Sequence, residues 1–471
     1  MKRTLFALAG GAAVQKVILF LVSLLLARNL GVEGLGDYAF GVQLGMLLAL
    51  FPDVGVRVVA AREAAARPLE APAWIRASLE ARLFLSAVIY ALYLPAVLLA
   101  EERPGFLLVC GLLVFPMAFD MKGLADALGQ ASKEVFWEGG AAFLYMGGTA
   151  ALCYWGKARP ETLAWVLLAS RLLYAGFAWS WVRRLGRGGG RIAPAGLLRL
   201  GGGLSAAIFL NNLVRAIDVI LLKLLAGPYQ AGLYSAARKL AAAGEAPMVL
   251  LSRLFRPHLD RAAAVGDRAG TLARTLRAQA FLVLPVAAGG WLTAEPLLSR
   301  LFGEGFRPAG WTLKWLLAVL LLAGLGSALG NTLFASRRHR EYVLPLLLAT
   351  ALNLGLTLLL IPAYGSSGAA FATVVSFAAA VPLSAYFLLR QGVRIDLPGV
   401  LARPCAAACV VAAAVLAAPA DWDVLFRVGA GVLAWAVAVW ALEFRGRWRA
   451  LGKGLQEGSR FGLERGERSG T

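Results

Sequence analysis

The sequence has 471 residues, of which 59% are hydrophobic and 16% are charged, and its mean hydropathy is +0.70. A soluble domain is roughly 45–50% apolar and about 25% charged, so the composition excludes an ordinary soluble protein. The net charge of +20 is typical of nucleic-acid binding in soluble chains. Here the cations lie in short loops between apolar blocks, which excludes nucleic acid as a partner.

The N-terminal segment MKRTLFALAGGAAVQKVILFLVSLLLARNL joins a basic start to an apolar run that extends to about Ala27. A signal peptide has a shorter apolar core and a cleavage site, so this run predicts a retained first span. Further apolar blocks are long enough to cross a hydrocarbon core about 30 Å thick. They predict an all-α polytopic membrane protein of about fourteen helices, at residues 5–27, 37–60, 79–100, 105–128, 135–156, 161–182, 203–226, 231–255, 277–299, 309–334, 342–362, 366–390, 399–418 and 424–444.

Arginine and lysine concentrate in alternate loops between these blocks. The loop around 183–202 and the loop around 256–276 are rich in arginine, and both chain ends belong to the same basic set. Because basic loops stay in the cytoplasm, we expect both termini to be cytoplasmic. The tail at 446–471 is charged and glycine-rich, and it is predicted to be disordered.

A repeat relates the two halves of the chain. The segment LARNLGVEGLGDYAFGVQL begins at Leu26, and KLLAGPYQAGLYSAARKL begins at Lys223. A shift of 196 residues aligns Gly31 with Gly227, Gly36 with Gly232, Tyr38 with Tyr234, Leu44 with Leu240, Arg57 with Arg253, and Gln15 with Asn211. This phase predicts two six-helix lobes, at 1–200 and 201–393, followed by two further helices at 394–445. Transporters built from such repeats place the substrate path between the lobes.

Polar side chains lie inside the four helices that the repeat relates. They are Gln15 and Lys16 in the first, Arg57 at the end of the second, Asn211, Arg215 and Asp218 in the seventh, and Arg238, Lys239 and Glu245 in the eighth. Ionisable residues within spans normally face a wet cavity. Because the cations outnumber the acids, the cavity is expected to take an anion, and arginine suits phosphate. The alternative is that Arg215 with Asp218, and Arg238 with Glu245, are internal ion pairs.

Three other basic residues lie within apolar segments. Lys223 and Lys314 are close to the ends of their spans, and we expect their side chains to extend to the membrane interface. Arg171 lies midway along the sixth helix with no evident partner in the sequence.

Signatures of catalysis are missing from the sequence. There is no G-x4-G-K-[ST] loop, no His-Glu-x-x-His motif and no evident Ser-His-Asp arrangement. The four cysteines lie in apolar stretches far from His258 and His339, so no metal site is expected. We therefore predict a transporter without catalytic residues, cofactor or metal.

Several motifs resemble those of a known family. The segments DVILLKLLAGPYQAGLYSAARKL (218–240), GNTLFASRRHREY (330–342), LNLGLTLLLIPAYGSSGAAFATVVS (352–376) and ARNLGVEGLGDY (27–38) are similar to motifs of bacterial oligosaccharide flippases. These flippases form the polysaccharide-export branch of the multidrug/oligosaccharidyl-lipid/polysaccharide superfamily. The resemblance implies fourteen helices, two lobes and alternating access in a bacterial cytoplasmic membrane. It also implies that undecaprenyl-diphosphate-linked sugar is flipped for O-antigen, capsule or exopolysaccharide.

The resemblance also suggests roles for the intramembrane residues. Basic cavity residues hold the diphosphate or acidic sugars in relatives, so the candidates here are Lys16, Arg57, Arg215, Arg238 and Lys239, with Gln15 and Asn211 as polar cavity residues. Coupling to protons or sodium in the superfamily makes Asp218 and Glu245 candidate coupling groups. The expected partners are the lipid-linked oligosaccharide, membrane lipids, and a polymerase or glycosyltransferases.

Three alternatives remain open. A multidrug or cation antiporter of the same superfamily would be expected to have acidic residues in its cavity. A polytopic glycosyltransferase or polymerase would be expected to have long outward loops with catalytic groups, and these loops are short. A lipid II flippase would use the same mechanism.

Overall fold

The computed structural model describes residues 2–53, 55–100, 104–185, 192, 202–265, 267–336, 338–419 and 421–444. Within these ranges the chain forms helices and turns and no strand, which confirms the predicted all-α class. The predicted disordered tail at 446–471 lies outside the described residues.

The helices are numbered in chain order. They are α1 Lys2–Leu50, α2 Val56–Ala66, α3 Ala71–Ala100, α4 Gly105–Leu112, α5 Val114–Met117, α6 Leu124–Ala127, α7 Ala131–Tyr154, α8 Pro160–Arg184, α9 Gly202–Val265, α10 Arg268–Phe302, α11 Gly310–Ala335, α12 His339–Arg390, α13 Leu397–Ala417 and α14 Val424–Val439. A 3-10 turn at Glu304–Ala309 precedes α11, and a π-helical turn at Trp440–Phe444 follows α14.

Three of the helices are sharply kinked at a glycine. The φ angles are 69° at Gly31 in α1, 85° at Gly227 in α9 and 54° at Gly365 in α12. Positive φ is readily available only to glycine, and each glycine lies where one predicted span ends and the next begins. One kinked helix therefore contains two predicted spans that are joined through a single residue.

Two predicted spans are not continuous helices, and here the prediction was wrong. The span at 37–60 is interrupted after Leu50, where Pro52 and Gly55, with a φ of 68°, precede α2. The span at 105–128 is divided among α4, α5 and α6, with Gly123 at a φ of 81°. Hydrophobicity is high through both segments, but these turn residues end the helices locally.

Nine helices of the described residues are long and apolar enough to cross a membrane. Large apolar side chains cover their outer surfaces, including Leu92 at 71% exposed, Leu99 at 89% and Leu433 at 70%. An apolar exterior of this extent fits hydrocarbon rather than water, so the chain is a multi-pass membrane protein. The exact count of fourteen spans stays a prediction.

The two repeat copies contact each other through their equivalent glycines. A Cβ atom at Gly36 would overlap the carbonyl oxygen of Pro228, and a Cβ atom at Gly232 would overlap the carbonyl oxygen of Val32. Val32 and Pro228 are themselves related by the shift of 196 residues. The contact is therefore reciprocal, as expected where two copies of one unit meet about a pseudo-two-fold axis. We call these four residues the glycine contact.

Polar interactions surround the glycine contact. The Nζ atom of Lys223 lies 2.9 Å from the Oδ1 atom of Asp37 and 4.3 Å from the ring centre of Phe40. The guanidinium of Arg28 donates to the carbonyl oxygens of Arg300 and Leu301 at 2.8 Å and 2.9 Å. Lys223 thus pairs with a residue of the other copy rather than simply extending to the interface. The two copies are held together at this end of the bundle.

Candidate functional site

The kink of α9 brings together side chains that a straight helix would separate. Asp218 precedes Gly227 and Tyr234 follows it, so in a straight helix they would lie ~24 Å apart along the axis. In the structure the hydroxyl of Tyr234 donates to Oδ2 of Asp218 at 2.8 Å. Asp218 is 2% exposed and Tyr234 is fully buried. The glycine at the turn therefore allows α9 to fold back on itself and form a polar group inside the bundle.

Arg238 extends this polar group by one helical turn. Its guanidinium hydrogen-bonds to Tyr234 and lies within electrostatic range of Asp218 and Glu245. Tyr234, Arg238 and Glu245 lie on one face of α9, as their spacing predicts. The proposed Arg238–Glu245 ion pair is thus only part of a larger network in which Tyr234 stands between Arg238 and Asp218.

Two lysines from different repeat copies share the space beside this network. The side chain of Lys239, on α9, is exposed and lies within electrostatic range of Arg238 and of Lys16, on α1. Lys16 is also exposed, and Gln15 beside it is half-buried. Among the described residues, neither lysine forms an ion pair with a carboxylate. Because α1 and α9 belong to different repeat copies, the structure brings together cations from both copies.

A second polar group lies in the first copy. Tyr38, the repeat equivalent of Tyr234, shares a hydrogen bond of 2.6 Å between its hydroxyl and that of Tyr145. Arg171 lies within electrostatic range of both hydroxyls. These two tyrosines are not among the candidate site residues predicted from the sequence. The alignment of Tyr38 with Tyr234 was the signal that pointed to the first of them.

Arg57 has a different environment from the other predicted cations. Its guanidinium lies 2.9 Å from Asp53 and 2.7 Å from Asp120. The buried Arg82 beside them is 1% exposed and donates to the backbone carbonyl of Asp120 at 2.9 Å. Two carboxylates therefore hold Arg57 at the broken end of the second predicted span. The described contacts do not bring it together with Lys16, Arg238 and Lys239.

The remaining predicted residues are only partly described. The side chains of Asn211 and Arg215 lie outside the described part of the chain, so their places in the site stay predictions. Within the described residues, no group of three or more metal-ligating side chains is found. The arrangement that remains is a cationic cluster beside a Tyr–Asp network, with no nucleophile or metal centre among the residues that the structure describes.

Family models match both halves of the chain. A model described as "Polysaccharide biosynthesis protein" matches residues 1–252, which is more than half of the 471 residues. A second model, described as "Lipid II flippase MurJ", matches residues 213–434. No curated protein sequence matches the chain.

Solved structures of transporters share the fold. The lipid II flippase MurJ in an inward closed conformation has a TM-score of 0.71 at 13% identity, and the match covers 92% of this chain and 98% of that one. An inward-facing multidrug resistance MATE transporter has a TM-score of 0.63 at 17% identity, with 81% and 98% covered. A transporter of the same superfamily from Pyrococcus furiosus has a TM-score of 0.60 at 17% identity, with 83% and 96% covered.

The family model confirms the predicted polysaccharide biosynthesis family, and the solved structures confirm the predicted fold. The first family model spans the first repeat copy and reaches into the second, and the fold matches extend over the remaining helices. The chain therefore belongs to the polysaccharide biosynthesis protein family, and it shares its fold with the MurJ and MATE transporters.

Proposed function

We propose that this protein flips a polyprenyl-diphosphate-linked oligosaccharide across the bacterial cytoplasmic membrane by alternating access. The observation that supports this most directly is the cationic cluster of Lys16, Arg238 and Lys239 between the repeat copies. The family is one of polysaccharide biosynthesis, and the structurally similar MurJ is a flippase of lipid II. The glycan is an O-antigen, capsule or exopolysaccharide unit.

A diphosphate suits this cluster for electrostatic reasons. Cations within a bilayer are costly, by about 2.5–3.5 kcal/mol each on insertion scales, so they are retained where they bind something. Lys16 and Lys239 lack carboxylate partners among the described residues, and Arg238 lies beside Asp218 and Glu245, so this group has three cations and two acids. The planar guanidinium can hold two phosphate oxygens, and the lysines add compact positive charge. Arg215 and the amides of Gln15 and Asn211 complete the proposed binding surface.

Asp218 and Glu245 are the proposed coupling groups. Both interact electrostatically with Arg238, and Asp218 accepts a hydrogen bond from Tyr234. Protonating either carboxylate raises the net positive charge around Arg238 and strengthens its attraction for an anion. Binding of a proton or a sodium ion is thereby linked to substrate affinity, since the linkage between two sites is reciprocal.

The antiporter alternative shares the fold but not this charge balance. A site for organic cations needs a surplus of acidic groups, whereas the cluster has three cations facing Asp218 and Glu245. A measured preference for cationic drugs over diphosphate lipids would favour the antiporter. Among flippases, a lipid II substrate remains a second candidate, and the MurJ model over residues 213–434 supports it.

The proposed architecture places this cluster between two lobes. The N-lobe is residues 1–200, the C-lobe is 201–393, and the helices at 394–445 lie outside the repeat. Both termini are proposed to face the cytoplasm, where glycosyltransferase partners supply the glycan, and a polymerase partner is proposed to receive it on the outer side.

The test is flipping of a fluorescent polyprenyl-diphosphate sugar by purified protein in liposomes. The double variant Lys16→Gln, Lys239→Gln is expected to reduce the flipping rate at least tenfold, because it removes two cations without changing the side-chain length greatly. Lys157→Gln, an exposed lysine in the loop before α8, is the control and is expected to keep the wild-type rate. A double variant that flips the lipid at the wild-type rate would remove the basis for this proposal.

A further inference from the structure

A second cationic pocket lies where α7 begins and α8 ends. It has a volume of about 370 Å³, and its lining includes Gln130, Lys133, Trp137, Trp181 and Arg184. The described lining contains two cations and no carboxylate. Lys133 and Arg184 are both exposed, so their charges are available to a ligand. A cavity with this lining attracts an anion.

The indole rings give the pocket a rigid wall. Trp137 and Trp181 are 7% and 4% exposed, and their ring centres lie 5.7 Å apart. The Nε1 atom of Trp181 donates to Oε1 of Gln130 at 2.8 Å. Because the carbonyl oxygen of Gln130 is engaged, its amide nitrogen is the group that a ligand can meet. The pocket therefore offers donors from Gln130, Lys133 and Arg184, of which the Gln130 amide is held in place by Trp181.

The pocket lies at the predicted boundary between membrane and water. The spans at 135–156 and 161–182 begin and end within the residues that form it. Tryptophan and basic residues are typical of this boundary, where head groups meet acyl chains. A ligand in the pocket is therefore at the depth of the lipid phosphates.

Exposed aromatic side chains lie on α7 close in sequence to the residues that line the pocket. Phe136, one turn from Lys133, is 71% exposed, and Phe143 further along α7 is 55% exposed. An anion that is soluble in water would make no use of this surface, whereas the acyl chains of a lipid would cover it.

We propose that this pocket binds the phosphate of one anionic phospholipid, whose acyl chains lie against the exposed aromatic side chains of α7. This site is separate from the proposed substrate cluster, and its ligand is a bound membrane lipid rather than a transported molecule. The phosphate accepts hydrogen bonds from Lys133, Arg184 and the amide of Gln130. The apolar surface makes the lipid, rather than free phosphate, the occupant.

The test is a titration of the full chain in detergent with phosphatidylglycerol, followed by native mass spectrometry. The first phosphatidylglycerol is expected to bind at least several-fold more tightly than phosphatidylcholine. The variant Lys133→Gln, Arg184→Gln is expected to weaken that binding about tenfold or more, since each basic group near a membrane surface contributes to anionic-lipid affinity. Both side chains are exposed, so the variant keeps the wild-type thermal unfolding temperature in lipid-free detergent.

Arg183→Gln is the matched control, because it removes the same charge one residue away and does not line the pocket. It is expected to keep the affinity within twofold of wild type. Equal weakening by Arg183→Gln and by the double variant would show diffuse attraction and overturn the proposal. Displacement of the lipid by millimolar inorganic phosphate would assign the pocket to a soluble anion and overturn it as well.

Discussion

Tyr234 fixes the position of Arg238, because its hydroxyl connects the guanidinium to the carboxylate of Asp218. All three side chains lie inside the bundle, where an acceptor that loses its donor cannot regain one from bulk water. The geometry of the cationic cluster therefore depends on one phenolic oxygen. The equivalent Tyr38 is bonded to Tyr145 instead, so the two repeat copies use the same tyrosine position for different partners.

Tyr234→Phe is expected to lower the free energy of unfolding by about 1–3 kcal/mol, because Asp218 Oδ2 loses a buried donor. It is also expected to weaken substrate binding, since Arg238 is no longer held in place. Thermal unfolding and lipid flipping measure the two effects. Tyr229→Phe, at a tyrosine on the same helix that is 39% exposed, is the control. A similar loss in both variants would argue against a specific role for Tyr234.

Glu134 is a buried acid just before the fifth predicted span. It is 6% exposed, and this burial raises its pKa to about 7. The charge of Lys122 opposes the rise, whereas Glu138, Asp120 and Asp126 add to it. The folded state therefore binds a proton that the unfolded state, with a glutamate pKa of about 4.3, releases. The stabilisation is complete below about pH 4.3 and is lost as the pH rises through about 7.

The unfolding temperature is accordingly expected to fall between about pH 4.5 and pH 7 in the wild-type protein. Glu134→Gln, which stays neutral, is expected to remove that part of the pH dependence. Glu161→Gln, in the exposed first turn of α8, is the control. Thermal unfolding in detergent across this pH range is the measurement, and identical curves for wild type and Glu134→Gln would contradict the prediction.

At the scale of elements, the kinked helices explain how the two copies approach. Each copy begins with a helix that turns at a glycine of positive φ, at Gly31 and Gly227. The helix after each turn presents a second glycine, Gly36 or Gly232, to the backbone of the other copy. The close approach therefore needs two different properties of glycine, which are its backbone freedom at the turn and its lack of a side chain at the contact.

Gly36→Ala is expected to separate the two copies at this contact, because its Cβ overlaps backbone atoms that cannot rotate away. Overpacking of this kind typically costs about 1–3 kcal/mol. We expect a lower unfolding temperature and impaired flipping, and Gly232→Ala is expected to have the same effect through the reciprocal overlap. Gly147→Ala, with no atom within 4 Å of the added Cβ, is the control. Wild-type activity in both contact variants would show that this approach is dispensable.

The sequence predicts the helical class, the repeat and the positions of the three kinks. Each of these features depends on a local pattern of apolar residues and glycines. Apolar blocks end at Gly31, Gly227 and Gly365, and glycine is the residue that such a turn requires. The breaks at Pro52 and Gly123 were hidden by the apolar residues around them. The predicted spans depend on hydrophobicity alone. The backbone conformation depends also on the proline and glycine residues that form turns.

The ion pairs were not predictable in the same way, because their partners are distant in the chain. Arg57 meets Asp120 across 63 residues, and Lys223 meets Asp37 across the repeat. Neither pair has the spacing of three or four residues that would place both side chains on one helix face. In contrast, the shared face of Tyr234, Arg238 and Glu245 depends on helical periodicity alone, whereas their role in the site stays a prediction.

At the scale of the whole molecule, the proposed topology makes a prediction about the two sides of the membrane. A reporter fused after residue 471 is expected to be in the cytoplasm, because the basic loops and both basic ends belong to one side. A reporter inserted after Lys157 is expected to be on the opposite side, and it serves as the internal control. A periplasmic signal from the C-terminal fusion would contradict the predicted orientation.

The positions of Lys16 and Lys239 have a consequence for the empty carrier. The two ammonium groups come from different repeat copies and repel each other when no anion lies between them. This repulsion opposes any motion that brings Lys16 and Lys239 closer, until a diphosphate neutralises their charge. In the proposed mechanism this repulsion favours a wide gap between the two lysines in the empty site, and a bound diphosphate lowers the energy needed to bring them together.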